Sequence, residues 1–291
     1  MSVRITTLVE NSTNRMGLLA EHGLSLLVEA WGEQILFDTG QTDIVVHNAR
    51  ALDLDLTRVR IIALSHGHGD HTGGLLAAVR ASSRVRGHVE VVAHPGIFDP
   101  HYSVRKDERP HYSGLPASRQ ALEGEGARFR LTPGPTQLAE NIWLTGEVPR
   151  RTAFESVAKG LVRPHAGEWV QDPMLDDQAI VVRTEAGLVV VLGCAHSGMV
   201  NTLEYAREFT GEERVFAVVG GTHLGPAPRE QLEDTVRAIR TLGIRQLGVS
   251  HCTGLSVAAR LAHEFGEAFF FNVAGASTVL SQERVRQRSK G

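Results

Sequence analysis

The chain has 291 residues, of which 42% are hydrophobic, and its formal net charge is −3 at pH 7. This length can bury a sizeable core, and the small, mixed charge argues against a nucleic-acid-binding surface. No apolar run reaches the roughly 20 residues that span a bilayer, and the two cysteines exclude a disulfide framework. We therefore expect a globular protein that binds neither nucleic acid nor membrane.

The two ends of the chain bear mainly on the cellular location of the protein. Met1–Ile5 begins in strand-like alternation without the apolar segment of a signal peptide, so we expect a cytoplasmic protein. The tail from Arg284 to Lys290 is basic, but it is short and we expect it to be frayed.

The first predicted elements are a hairpin and a buried strand. Leu24–Val28 and Ile35–Phe37 have strand patterns separated by a Trp-Gly-Glu turn. Val59–Leu64 is an apolar run that predicts a buried strand, and the run from Leu75 to Val79 predicts the start of a helix. The residues between them form a glycine-rich loop.

That loop, Ser65–Gly74, carries four metal-type side chains within six positions, namely His66, His68, Asp70 and His71. A loop at the end of a buried strand can direct several side chains at one point, and alternate residues of an extended segment point the same way. Neutral imidazoles and a carboxylate suit Zn²⁺, Mn²⁺ or Fe²⁺. Because the glycines and Asp70 serve no evident packing purpose, a metal site is favoured over a solvated histidine-rich loop.

The middle of the chain, residues 95–173, is richer in Pro, Arg, His and Tyr and has no long periodic run. We interpret it as a cap inserted over the site, where loops usually carry specificity; a mobile surface excursion is the alternative. Within it, Glu147 and Arg150 are candidate substrate contacts, since Arg grips phosphate or carboxylate in bidentate fashion. A solvated charged face is the other interpretation. Aromatic residues that could stack on a flat ligand are Phe98, Tyr102, Tyr112 and Phe154.

The second half repeats the design of the first. A second hairpin, Ala179–Arg183 and Leu188–Leu192, again ends in a polar tip. The elements predicted after it are a strand at Arg214–Val219, a helix at Pro226–Leu242, a strand at Gln246–Ser250, a helix at Ser256–Phe265 and a last strand at Ala268–Val273.

Polar side chains follow several of the predicted strands, each close to a glycine. They are Asp38, Cys194 with His196, His223, and His251 with Cys252. Strand ends of this kind form the usual rim of an α/β site. The pattern favours His196 and His251 as metal ligands and disfavours His94. For His223, a metal ligand and an ordinary surface histidine remain equal alternatives. We assign the remaining isolated histidines, His22, His47, His88 and His263, to the surface.

Ser65–Gly74 resembles the HxHxDH signature of the metallo-β-lactamase superfamily, and Phe37–Gly40 resembles the aspartate motif that precedes it. The similarity extends from Val3 to Thr278 and implies one domain, residues 1–291, with a four-layer αββα sandwich. The segments Gly193–Gly198 and His251–Gly254 resemble one subfamily of metal-dependent hydrolases. That subfamily is similar to an archaeal enzyme that joins a dihydropterin-methyl diphosphate to a ribofuranosyl-aminobenzene phosphate.

The resemblance also implies roles for individual residues. His66, His68 and His196 would form one set of metal ligands, and Asp70, His71 and His251 the second, with Asp38 orienting a ligating histidine. Cys194 stands where the superfamily usually has a bridging aspartate. It is either a thiolate ligand or a small buried hydrophobe, which leaves open one metal ion or two. The candidate substrate-binding residues are Glu147, Arg150, Asp177 and His223.

Three functions remain open from the sequence. The first is a metal-dependent hydrolase, with zinc first and manganese or iron as alternatives, that attacks a small phosphorylated or carboxylated substrate with metal-activated water held by Asp70. The second is a metal-assisted transferase that joins the two pterin and aminobenzene substrates above and releases diphosphate. The third is a non-catalytic metal-binding protein, which the intact ligand pattern disfavours. A homodimer is an alternative to a monomer, because dimers are common among such relatives.

Overall fold

The computed structural model describes residues 2–281, and the basic tail Arg284–Lys290 lies outside these residues. The strands are β1 (Val3–Val9), β2 (Ser25–Ala30), β3 (Glu33–Phe37), β4 (Ile61–Ala63), β5 (Val89–Ala93), β6 (Tyr102–Val104), β7 (Pro110–Tyr112), β8 (Ala127–Leu131), β9 (Thr136–Ala139), β10 (Ile142–Leu144), β11 (Leu161–His165), β12 (Glu168–Gln171), β13 (Ala179–Thr184), β14 (Gly187–Leu192), β15 (Val215–Gly221), β16 (Gln246–Ser250), β17 (Phe269–Phe271) and β18 (Ser277–Leu280).

The helices are α1 (Ile44–Ala51), α2 (Gly69–Thr72), α3 (Leu75–Ser83), α4 (Arg119–Gly124), α5 (Met199–Thr210), α6 (Arg229–Leu242) and α7 (Leu255–Phe265). Short 3₁₀ helices lie at Leu56–Arg58, Pro95–Phe98, His251–Thr253 and Gly266–Ala268. No helix within residues 2–281 is long and apolar enough to cross a membrane.

These strands form two large sheets and one small one. The first sheet has the order β18-β1-β2-β3-β4-β5-β8, and the second has the order β17-β16-β15-β14-β13-β10-β9. Strands β3, β4, β5 and β8 run parallel, as do β14 to β17. The small sheet, β12-β11-β6-β7, is antiparallel.

Three hydrophobic clusters fix the order of the layers. One lies between the two large sheets, where Phe37 and Val191 are buried. A second packs the outer face of the first sheet, including Ile62, against α1, α3 and α4. A third packs the outer face of the second sheet, including Val218, against α5, α6 and α7. The order helix–sheet–sheet–helix is the predicted αββα sandwich, and β14 is buried along its whole length because both of its faces are covered.

The two predicted hairpins are β2–β3 and β13–β14, which occupy corresponding central places in the two sheets. Two boundaries differ from the prediction. Helix α6 begins at Arg229, because Pro228 precedes it in an extended conformation. The strand expected last, Ala268–Val273, is reduced to β17, and β18 follows it and pairs with β1.

The segment predicted as the cap, residues 95–173, is divided between two parts of the molecule. Strands β6, β7, β11 and β12 build the small sheet. Strand β8 instead pairs with β5, and β10 pairs with β13, so α4, β8, β9 and β10 belong to the sandwich. The range 95–173 is therefore too wide for a cap, because its middle third supplies edge strands to both large sheets.

Candidate metal centre

The site lies where the parallel strands of both sheets end. His66 and His68 follow β4, Cys194 and His196 follow β14, and His251 follows β16. Because the two sheets face each other, their carboxyl ends meet at one rim. Asp38, Ala195, His223 and His251 all have left-handed backbone angles, with φ between 49° and 60°. Strain of this kind costs about 1–3 kcal/mol per residue and concentrates at functional sites.

The first group of residues that could hold a metal ion consists of His66, His68 and His196. Their ligand nitrogens lie within 4.8 Å of one another, and all three residues are buried. His66 Nε2 is 3.0 Å from His68 Nδ1. Both ring nitrogens of His196 are buried without a hydrogen-bond partner among the described residues. A cation that accepts lone pairs would satisfy these orphaned nitrogens, so the residues present fit a metal ion.

Electrostatics in this group also favour a metal. Burial lowers the pKa of His68 to about 4 and lowers the pKa of His66 and His196 well below the ordinary value. The imidazoles are therefore neutral at pH 7, which is the form that donates a lone pair to a metal.

The second group surrounds Asp70. Its Oδ2 atom is 3.2 Å from His251 Nε2 and 3.2 Å from His22 Nε2. His71 Nε2 is 3.3 Å from His251 Nε2 and 3.1 Å from the Sγ atom of Cys194. The Cys194 sulfur lies within 4.8 Å of His66 and His71 and also of His251, so it sits between the two groups.

Asp70 is held as a carboxylate. Burial acts to raise its pKa, but the neighbouring His71 and hydrogen bonds from His22 and His251 outweigh burial and hold the pKa well below its usual range. For His71, burial acts to lower the pKa because it disfavours the charged ring. Asp38 and Asp70 outweigh burial and raise the pKa to about 9. Asp38 and Asp70 therefore both place negative charge beside His71.

The metal-type residues open into a cavity of about 740 Å³. One wall contains His68, Asp70, Cys194, His196 and His251, together with His22, His223 and Cys252. The lining also contains Ser103, Arg105, Tyr112 and Leu161, which belong to or adjoin β6, β7 and β11 of the small sheet. Residues of the small sheet and of the loop after β6 thus line the same cavity as the metal-type residues.

Three of the four predicted substrate contacts do not reach this cavity. Glu147 pairs with His94 at 3.0 Å, and neither residue lines the cavity. Arg150 donates to the carbonyl oxygens of Pro173 (2.5 Å) and Met174 (3.1 Å), so its guanidinium ties a loop.

The third, Asp177, is buried and accepts a hydrogen bond from the Ser197 N–H at 2.8 Å; burial raises its pKa to about 6. Only His223 of the four lines the cavity, with its ring centroid 4.4 Å from that of His196. Of the predicted stacking residues, Tyr112 lines the cavity, whereas Phe98 packs against Phe129.

Sequence reasoning missed several residues at the site. His22, assigned to the surface, is exposed as expected but bonds Asp70, and that hydrogen bond raises its pKa. Arg105 lines the cavity from the loop after β6. His101 is buried between Asp172 (2.7 Å) and Asp176 (3.3 Å) beside His68. No local pattern marks these residues, because their neighbours in space lie far away in sequence.

Comparison with known proteins assigns the class. The metallo-beta-lactamase superfamily model matches residues 19–148. Tm1679, a metal-dependent hydrolase of the beta-lactamase superfamily with a known crystal structure, is 31% identical; the match covers 95% of this chain and 98% of that one, with a TM-score of 0.80. The chain therefore belongs to the metallo-β-lactamase superfamily, and the resemblance inferred from the sequence is confirmed.

Other relatives differ in activity. The 7,8-dihydropterin-6-methyl-4-(beta-D-ribofuranosyl)-aminobenzene-5'-phosphate synthase of Methanocaldococcus jannaschii is 29% identical over 92% of this chain and 93% of that protein. The crystal structure of Zn²⁺-bound PqqB from Methylobacterium extorquens shares the fold, with a TM-score of 0.52 at 11% identity over 94% of this chain and 99% of that one. The superfamily members similar to this enzyme thus include both a hydrolase and a synthase.

Proposed function

We propose that this enzyme is a metal-dependent hydrolase that acts on a small anionic substrate, phosphorylated or carboxylated, with metal-activated water. The observation that carries the proposal is the placement of two adjoining ligand groups, with Cys194 between them, on the wall of an open 740 Å³ cavity. That volume is typical of a small-molecule site.

The donor set suits Zn²⁺ best, with Mn²⁺ or Fe²⁺ as alternatives. When bound, such an ion acts as a Lewis acid and lowers the pKa of bound water from about 15.7 to about 7. Asp70 is a carboxylate at neutral pH and lines the cavity, so it can orient the attacking water and accept its proton. Asp38 accepts a hydrogen bond from the Nδ1 atom of His71 and so holds the His71 ring in place.

The charge of the cavity favours an anion as substrate. Among the described residues that line it, Asp70 carries the one carboxylate, and that carboxylate is already bonded to two histidines. Arg105 supplies a positive charge to the lining, and His22 and His223 can donate hydrogen bonds. A phosphate ester or a carboxylated lactone has the matching charge.

The Asp70→Asn variant tests the hydrolase directly. We expect it to lose turnover of bis(4-nitrophenyl) phosphate, and of a lactone panel, while retaining most of its bound metal. Asp43→Asn is the matched control, because Asp43 is exposed at the start of α1 and makes no side-chain capping bond. Full activity of Asp70→Asn on a substrate that the wild type hydrolyses would rule out the mechanism.

A transferase is the second candidate, and one structural feature favours it. A second cavity of about 440 Å³, which includes Lys159 and Gln231, shares His196 and His223 with the first. Two cavities that meet at the ligand groups would place two substrates side by side, as a synthase needs. The proposal is that a dihydropterin-methyl diphosphate and a ribofuranosyl-aminobenzene phosphate join there with release of diphosphate. Diphosphate release that requires the aminobenzene substrate would favour this function, and release in its absence would favour hydrolysis.

A further inference from the structure

Cys252 lies at the site without a role in the ligand groups described so far. It follows His251 at the end of β16 and lines the 740 Å³ cavity. Its sulfur, the sulfur of Cys194 and a ring nitrogen of His251 all lie within 4.8 Å of one another. A tetrahedral zinc ion with bonds of about 2.0–2.3 Å spans ligand separations of this order.

The backbone around Cys252 makes room for its sulfur. A Cβ atom at Gly221 would lie 2.7 Å from the Cys252 sulfur and 2.4 Å from the Gly193 carbonyl oxygen. The Gly221 N–H also donates to that carbonyl oxygen at 3.0 Å, which joins the tips of β14 and β15. A larger residue at position 221 would therefore displace the sulfur from the cluster.

Hydrogen bonds hold the Cys252 sulfur close to Cys194. The backbone N–H of His223 donates to it at 3.2 Å, and its thiol contacts the Cys194 carbonyl oxygen at 3.7 Å. A backbone N–H directed at sulfur is the kind of contact that stabilises a coordinating thiolate and tunes a metal site.

We propose that Cys252 is a metal ligand, and that Cys194, His251 and Cys252 together give the second metal position a donor set rich in thiolate. This inference rests on the metal-dependent function proposed above and deepens it. Thiolates select zinc over manganese, whereas a carboxylate-rich position would accept manganese. The two positions then differ in chemistry: three imidazoles surround one, and at the other two sulfurs join the side chains of Asp70, His71 and His251.

Cobalt substitution tests the proposal with a readout other than activity. The purified enzyme is stripped of metal with a chelator and reloaded with Co²⁺ alone, and absorption is recorded in the near ultraviolet and the visible. Thiolate ligation gives an intense sulfur-to-cobalt charge-transfer band in the near ultraviolet, whereas the visible bands report any tetrahedral cobalt. We expect the charge-transfer band in the wild type, about half of its intensity in Cys252→Ser, and none in the Cys194→Ser, Cys252→Ser double variant.

Ser250→Ala is the matched control, because Ser250 is buried, precedes His251 and has an Oγ atom without a hydrogen-bond partner among the described residues. It should keep the full band. An unchanged band in Cys252→Ser, or its complete loss in Cys194→Ser alone, would overturn the role of Cys252. Cobalt binding without any charge-transfer band overturns thiolate ligation but leaves the proposed function standing, whereas a wild type that binds no cobalt contradicts both.

A second measurement on the wild type is independent of how the variants fold. The rate of Cys252 alkylation by iodoacetamide is followed by mass spectrometry with and without Zn²⁺. A metal-bound thiolate is a poor nucleophile, so we expect zinc to slow the reaction by at least about 10-fold. Equal rates in the two conditions would overturn the proposal.

Discussion

Asp38 and His71 form a fully buried pair, in which Asp38 Oδ2 lies 2.6 Å from His71 Nδ1. The same carboxylate accepts hydrogen bonds from the N–H and the hydroxyl of Ser65, both at 2.7 Å. The Ser65 hydroxyl in turn lies 2.8 Å from His66 Nδ1. One carboxylate thus orients two histidines, one from each ligand group, and leaves their Nε2 atoms facing the site.

Replacing Asp38 by Asn should weaken metal binding. The amide keeps the shape of the side chain but loses the charge that fixes the tautomer of His71. Loss of such a partner typically costs 10–100-fold in metal affinity, and we expect about that decrease for Asp38→Asn in a chelator competition titration. The Asp43→Asn control should bind metal like the wild type. An unchanged affinity in Asp38→Asn would show that the pair has no part in positioning His71.

Gly193 makes the approach between the two sheets possible. A Cβ atom there would lie 2.2 Å from the Ser65 hydroxyl oxygen and 3.3 Å from Asp38 Oδ2. We expect Gly193→Ala to displace Ser65, destabilise the fold by about 1–3 kcal/mol and reduce metal binding. Gly124→Ala is the control, because a Cβ atom there meets nothing within 4 Å. Urea unfolding of Gly193→Ala with wild-type stability and full metal content would contradict this account.

Substitutions of Arg105 and Arg150 should have different effects: the first should weaken substrate binding, and the second should lower stability. Arg105 lines the cavity, so Arg105→Ala should raise KM for an anionic substrate, and this effect should diminish at high salt. Arg150 bonds the carbonyl oxygens of Pro173 and Met174, so Arg150→Ala should lower the melting temperature and leave KM close to the wild-type value. Steady-state kinetics and thermal unfolding of both variants check the assignment. The opposite pattern would restore Arg150 as the substrate contact.

His101 should make stability depend on pH. Burial acts to lower its pKa, but hydrogen bonds and charges from Asp172 and Asp176 outweigh burial and raise it to about 10. A raised pKa means that this stabilisation is complete below the ordinary value of about 6.5 and is lost as pH rises through about 10. The difference in unfolding free energy between wild type and His101→Gln should therefore be largest near pH 6 and shrink toward pH 10. A difference that is constant with pH would contradict this assignment.

The sequence predicted those parts of the site whose residues lie close together along the chain. His66, His68, Asp70 and His71 lie within six positions, so their convergence required only the strand and loop that precede them. His196 and His251 were found because apolar strands end just before them. The layered fold followed from the same apolar patterns and from the resemblance they supported.

The residues that sequence reasoning missed depend on contacts between distant segments. His22 reaches Asp70 across 48 positions, and His101 reaches Asp172 across 71. Arg150 was predicted to bind an anion, but its guanidinium donates a hydrogen bond to the backbone carbonyl oxygen of Pro173. No periodic pattern in the sequence predicts this contact. The division of residues 95–173 between the small sheet and the two large sheets could not be predicted for the same reason, because β8 and β10 are short and only their pairing shows which sheet each one joins.

The measurement that tests the central claim most directly is elemental analysis of the enzyme purified without added metal, followed by titration of the stripped enzyme with Zn²⁺. The two adjoining ligand groups predict about two equivalents of zinc per chain, one lost on removal of His196 and the other on removal of His251. Binding of no metal, even after reconstitution with zinc, manganese or iron, would contradict a metal centre at this rim.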